Sequence, residues 1–375
     1  MSAEILARAE TQCEESLRRL GAAAKALSRP AKFMEVCGTH TMSAFRSGLH
    51  SLMPPNVTLL SGPGCPVCVT SLGDIDQLIE LARNRDVTLC TYGDMLRVVG
   101  SEGSLEQCRA EGADVRVIYS SLDAVKLAAE NPHREVAFAA VGFETTTPAS
   151  AAAVIEANRL GLENFSVLVS HKLIIPAMRA LLESGDVQVD GFLCPGHVAV
   201  IIGAAVFEPI VHEYHRPCVI AGFEGPQIAA ALARLTELVA EGRASLENLY
   251  SQAVTEEGNR AAQAVIDEVF MPADWQWRGL GKLKSSGLAL RFAYARYDAR
   301  TRFGLGSPTG KESPGCRCGD VITGRATPID CKLFATACTP VRALGPCMVS
   351  SEGTCQAWFK YHHLRTPKKV RAGSL

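Results

Sequence analysis

The sequence predicts an α/β fold of two lobes, parallel sheets covered by helices, followed by a cysteine-rich C-terminal domain. Three observations predict it. Short apolar runs recur along the chain, each ending in a glycine-rich or polar loop and most leading into helical spacing. The 375 residues are 47% hydrophobic and 21% charged, enough for two or three cores. Six of the 14 cysteines fall between Cys316 and Cys355.

The elements follow in order. Residues 3–27 place Ile5, Leu6, Ala9, Cys13, Leu17 and Leu20 at helical spacing, so this is an amphipathic helix with Cys13 on its core face. The apolar run 33–36 leads to Cys37-Gly38-Thr39-His40. A strand over 57–60 leads to the loop 62–68 (GPGCPVC) and a helix near 72–83. Strands over 87–91 and 115–119 lead to Tyr92-Gly93-Asp94 and Ser120-Ser121. A strand over 136–141 leads to GFETTTP and a helix near 149–159. Strands over 166–169, 191–193 and 219–221 lead to Ser170-His171-Lys172, Cys194-Pro195-Gly196-His197 and GFEGP. AAVGFETTTPASAAAV echoes VIAGFEGPQIAAAL, which suggests related units.

The expected division is residues 1–134 for the N-terminal helix and first lobe, 135–240 for the second lobe, and 241–375 for a connector and the cysteine-rich domain. Trp275 and Trp277 mark the connector as packing onto that third domain. The net charge of −1 gives no global signal for nucleic acid. The longest apolar run, 198–207, is too short to span a bilayer, and the N-terminus has no apolar signal core. A cytoplasmic protein is expected, in which thiols stay reduced and cysteines mean metal or redox chemistry. The basic stretch after Pro367 reads as a solvated tail.

Four thiolates hold either a [4Fe–4S] cluster or zinc. Zinc sites usually use two C-x₂₋₄-C hooks, and the terminal stretch has none. Its close pair, Cys316 and Cys318, has one residue between. One cysteine from that pair, taken with the others, leaves C-x14-C-x6-C-x16-C through Cys316, Cys331, Cys338 and Cys355, with Cys318 and Cys347 over. This favours a cysteine-rich C-terminal iron–sulfur domain with one redox pair. A zinc- or disulfide-stapled domain remains the alternative.

Ligands of open α/β sheets bind beyond the C-terminal ends of the strands, where the suggestive loops fall. Cys65-x-x-Cys68 precedes a helix, whose N-terminus favours thiolate. Cys37 and His40 suit a metal or a thiolate–imidazole pair, or else a buried Cys beside a capping Thr. Glu144 and His197 begin helices and serve equally as end-of-helix polar groups. His171 and Lys172 are weaker candidates, and Cys90, Cys108 and Cys218 read as core. The phosphate-cradling G-x-x-x-x-G-K-S/T loop and the C-x₃-C-x₂-C pattern are both absent.

Taken in their order, CGTH at 37–40, GPGCPVC at 62–68, GFETT at 142–146, SHK at 170–172, CPGH at 194–197 and the six-cysteine terminus resemble the HypD family of hydrogenase maturation factors. The likeness covers nearly the whole chain. Ala335 and Ala343 depart from it, standing where the family pattern has Gly and Pro. The resemblance implies a factor that works with HypC to assemble the Fe(CN)2CO group of [NiFe]-hydrogenases. HypE, loaded by HypF, would supply cyanide as a protein-bound thiocyanate. It implies that Cys316, Cys331, Cys338 and Cys355 are [4Fe–4S] ligands and that Cys318 and Cys347 form the adjacent redox pair. Cys37 would hold the iron that carries cyanide and carbonyl, with Cys65, Cys68, His40, Glu144 and His197 lining the cleft. An iron–sulfur-dependent protein disulfide reductase would use the same terminus but gives no reason for Cys37 and His40. A scaffold that only holds partners gives no reason for a redox pair.

Overall fold

The computed structural model describes residues 3–306, 310 and 314–361. The expected solvated tail lies outside the described residues. Its strands are β1 (Ala31–Glu35), β2 (Val57–Ser61), β3 (Val87–Thr91), β4 (Val99–Gly100), β5 (Gly103–Ser104), β6 (Asp114–Val117), β7 (Glu135–Gly142), β8 (Phe165–His171), β9 (Gly191–Pro195), β10 (Cys218–Ala221), β11 (Leu246–Asn248), β12 (Phe270–Trp277) and β13 (Gly281–Leu290).

Two parallel sheets carry the architecture. One has five strands in the order β11-β10-β9-β1-β2, the other four in the order β6-β3-β7-β8. β4–β5 and β12–β13 are separate antiparallel pairs. The chain starts the five-stranded sheet with β1 and β2, leaves to build all of the four-stranded one, and returns at β9. The expected boundary at 134/135 therefore falls inside the four-stranded sheet, between β6 and β7. The five-stranded sheet draws strands from both expected lobes. Strand–helix alternation announces parallel sheets but is silent about which strands pair, so a sheet inserted whole between β2 and β9 reads as a simple succession.

β7 shows why a parallel sheet forms. Its sequence EVAFAAVG is buried from Val136 to Gly142, as for a strand covered on both faces. Its alanines let helices approach closely. Ser121–Glu130 and Thr147–Arg159 lie over this sheet, with Ala124, Ala128, Ala153 and Ala157 buried beside Phe138 and Ala140. On the five-stranded sheet, the amphipathic helix Ala3–Ala26 packs on Gly225–Ala240 through Leu20 and Ala24 against Ile228, Leu232 and Leu235. Arg19 closes that pair with two hydrogen bonds to Glu237, at 2.9 and 2.8 Å.

The connector ties both sheets to the cysteine-rich segment. Trp277 is buried and donates to Ser286 Oγ at 2.9 Å. The Arg278 N–H donates to the Val69 carbonyl at 2.9 Å, so the hairpin grips the chain just past Cys68. Arg325 of the cysteine-rich segment donates to the Gly279 carbonyl at 2.8 Å. Beneath lies a charge cluster centred on Asp74, in the first turn of Leu72–Arg83. Asp74 accepts from Arg300 at 3.0 Å, Trp275 at 3.3 Å, Ser71 at 2.9 Å and the fully buried Lys172 at 3.4 Å. Burial pushes the Asp74 carboxyl up, but Lys172 and Arg300 outweigh it and hold it below its ordinary value. Lys172 of the SHK motif thus clamps the helix after Cys68 to β8 and the hairpin, rather than lining the cleft. No single helix among the described residues is long and apolar enough to cross a membrane.

Candidate functional site

A cleft of about 440 Å³ opens between the strand-end loops of the two sheets. The five-stranded sheet contributes Val36, Cys37 and Thr39 after β1, Gly64 and Pro66 after β2, and Pro195 and His197 at the end of β9. The four-stranded sheet contributes Phe143, Thr145 and Thr146 after β7. The remaining wall includes Val198, Ile201 and Glu352. The loops of Cys37, Cys65–Cys68 and His197 thus converge. Cys65 and Cys68 lie just under the cleft, 4% and 1% exposed, behind Gly64 and Pro66. Gly64 makes the convergence possible: a Cβ there would lie 2.2 Å from the Cys37 backbone nitrogen.

Two expected cleft residues face elsewhere. Glu144 lines a neighbouring apolar groove with Leu173, Ile175 and Phe270, while Phe143 and Thr145 on either side of it face the cleft. Its Oε1 accepts from the Ile174 N–H at 2.9 Å, and burial raises its carboxyl to about 7. His40 is fully buried behind the wall. Its Nε2 pairs with the Gly222 carbonyl at 3.0 Å, and burial lowers the ring to about 4. Phe223 sits between His40 and His197, stacked on both at 4.6 and 3.7 Å between ring centroids. Phe223 belongs to the GFEGP echo.

Cys37 precedes the helix Gly38–Arg46 and is 8% exposed. Its N–H donates to Glu35 Oε2 at 2.9 Å, and Thr41 donates to Glu35 Oε1. Burial raises the Glu35 carboxyl to about 8, against the opposing pull of the hydrogen bonds it accepts from Thr41 and the Cys37 N–H. Burial, then the charge of Glu352, raises the Cys37 thiol to about 12. Metal ligation requires the thiolate, so a cation arriving at Cys37 displaces a proton. Neither Glu35 nor Glu352 was expected from the sequence. Their signals were faint: a lone acid inside an apolar strand, and an acid in the tight turn before Cys355.

All six terminal cysteines line one cavity, closed by Leu333, Phe334 and Met348. Cys347 is buried in this wall, its sulfur 2.9 Å from that of Cys355 and hydrogen-bonded to Cys318. The hydrogen bond with Cys347, then burial, raises Cys318 well above an ordinary thiol. Cys68 lies close enough to Cys318 and Cys347 to feel their charges. Helix Pro346–Val349, which carries Cys347, packs on Pro66–Val69, which carries Cys68. A line of thiols thus runs from beneath the cleft into the cysteine cavity.

Six thiols round one apolar cavity are the donor type of a Cys₄-held site. No three His, Cys, Asp or Glu side chains among the described residues converge as ligands of a single ion. A Cys₄-held [4Fe–4S] cluster needs a different arrangement, thiolates spread round a cage with one for each iron. The apolar walls limit water, and the Leu344 N–H donates to Cys338 Sγ at 3.3 Å, a contact that tunes such clusters. Ala335, where the resemblance leads one to expect glycine, is exposed beside Phe334 with φ +57. The left-handed region costs an L-residue roughly 1–2 kcal/mol, and glycine gives back part of the gain through its freer unfolded chain. Ala335→Gly is expected to stabilise the protein by about 0.5–1 kcal/mol, read by denaturant unfolding.

The model of the HypD family, described as the hydrogenase formation hypA family, matches residues 11–362. The hydrogenase maturation factor HypD2 of Bradyrhizobium diazoefficiens is 47% identical over 352 residues, 92% of this chain and 93% of that one. HypD of Azotobacter vinelandii is 48% identical over 90% of this chain and 91% of its own. HypD of Escherichia coli is 44% identical over 89% and 90% respectively.

Proposed function

This chain belongs to the HypD family of hydrogenase maturation factors, and we propose that with HypC it holds iron and assembles the Fe(CN)2CO group of [NiFe]-hydrogenase in the cytoplasm. The observation that carries the reading is the line of thiols from Cys37 at the cleft wall, past Cys65 and Cys68, to the six-cysteine cavity. In this reading Cys37, with a cysteine of HypC, holds the iron substrate. Soft thiolates suit an iron that bears cyanide and carbonyl. Apolar Val36, Phe143, Val198 and Ile201 keep water from it. His197, exposed at the cleft rim, has its ring pushed below its ordinary value by desolvation and faces the same space.

Cyanide arrives as a thiocyanate on HypE, loaded by HypF. Breaking its S–C bond takes two electrons and leaves a thiolate and cyanide, which becomes a ligand of the iron. The Cys318 and Cys347 dithiol supplies the electrons, forming one S–S bond and losing two protons. Cys316, Cys331, Cys338 and Cys355 would hold a [4Fe–4S] cluster, which would pass on single electrons from an external reductant to restore the dithiol. Cys65 and Cys68, between the cleft and that pair, can carry the exchange by thiol–disulfide transfer. The experiment is infrared spectroscopy of the chain purified with HypC from cells that also make HypE and HypF. Cyanide and carbonyl stretching bands on the complex are expected. A complex with bound iron and neither band would overturn the reading.

A further inference from the structure

The turn that joins the helix of Cys347 to the helix of Cys355 carries a carboxylate into the cleft. We propose that Glu352 is a positioning residue that latches the Cys37 loop to the cysteine-rich segment. The proposal rests on the reading of Cys37 as the iron-holding cysteine for its purpose, and on contacts within this chain for its existence.

Thr39 Oγ1 donates to Glu352 Oε1 at 2.6 Å, across 313 residues of sequence. The carboxylate sits at the N-terminus of Gly38–Arg46, where the helix dipole favours an anion. Gly38 lets the turn close. A Cβ on it would lie 2.6 Å from Glu352 Cβ and 2.8 Å from the Glu352 carbonyl oxygen. The turn itself is fixed. The Gly353 N–H donates to the Ser350 carbonyl at 2.9 Å, and the Glu352 N–H donates to Ser350 Oγ at 3.3 Å. Arg97 donates to the Val349 carbonyl at 3.1 Å, and Trp358 packs on Phe45 at 5.7 Å between ring centroids. Glu352 is therefore placed by the same two helices that place Cys347 and Cys355. Glu35 holds the Cys37 loop from β1, and Glu352 adds a second hold that is made when the cysteine-rich segment is folded.

The test is hydrogen–deuterium exchange on the full chain without HypC or iron loading, followed in the peptide covering residues 37–41. A hydrogen bond to an ionised group shifts a local opening equilibrium roughly ten- to a hundredfold. Glu352→Ala is expected to speed exchange there at least about tenfold. Thr39→Val, which removes the donor, is expected to do the same and decides the matter if Glu352→Ala fails to fold. Glu352→Gln keeps the size and an acceptor, and is expected to restore most of the protection. Exchange in β7 should stay unchanged in the folded variants. Wild-type protection of residues 37–41 in Glu352→Ala, or in Thr39→Val, would overturn the latch. So would Glu352→Gln exchanging as fast as Glu352→Ala, since that result assigns the effect to charge alone. Because no iron is involved, failure here leaves the infrared test of function standing, and failure of that test leaves this one standing.

Discussion

Cys37→Ala is expected to fold, to keep its iron–sulfur absorbance, and to lose the cyanide and carbonyl infrared bands of the complex with HypC. The substitution removes one sulfur from a wall and leaves the backbone contacts in place. Glu35 still accepts the N–H of residue 37, and the Thr41 bond to Glu35 is untouched. A stability change of roughly 1 kcal/mol is expected, too small to unfold a domain. The functional effect is all or none, because Cys37 is the one cysteine lining this cleft among the described residues. The same geometry fixes a sign for pH. Burial and Glu352 hold the thiol protonated, so iron uptake by wild-type protein should rise with pH as the proton becomes easier to displace. Wild-type band intensity in Cys37→Ala would move the iron elsewhere.

The second large effect concerns Cys347. Cys347→Ser is expected to retain the cluster absorbance, abolish the two-electron thiol titration, and stop hydrogenase maturation. Its sulfur meets both Cys318, its proposed redox partner, and Cys355, a proposed cluster ligand. In the proposed mechanism it is therefore the group through which electrons would pass from the cluster to the pair. Serine keeps the size and a hydrogen-bonding atom but forms no disulfide. Cluster loss in Cys347→Ser, with the cluster kept in Cys355→Ser, would show that the roles of ligand and redox cysteine are exchanged. The 2.9 Å approach of these two sulfurs makes that pair of variants the discriminating one.

Much of this site was legible in the sequence because parallel strands end in loops whose glycines and prolines are visible. Gly64 and Pro66 frame Cys65, and Pro195 and Gly196 precede His197; in each case turn chemistry sits beside a reactive side chain. Three things were not legible. Strand order was not, because alternation is a one-dimensional signal, and the return of the chain to the five-stranded sheet at β9 leaves no local mark. The direction of Glu144 was not, because neighbouring side chains in a strand-end loop point different ways, and the cleft took Phe143 and Thr145. Glu352 was not, because its meaning depends on Thr39, 313 residues away. The positive φ of Ala335 joins the two levels: the place where the resemblance leads one to expect glycine is a place where the backbone takes the left-handed conformation.

Metal analysis of the cysteine-rich segment tests the account most directly. The chain is purified under anaerobic conditions without HypC, its iron, acid-labile sulfide and zinc are counted, and the dithionite-reduced protein is examined by electron paramagnetic resonance. A Cys₄-held [4Fe–4S] cluster predicts about four irons and four sulfides per chain and a signal that appears on reduction. One zinc per chain, with neither iron nor sulfide, would contradict it.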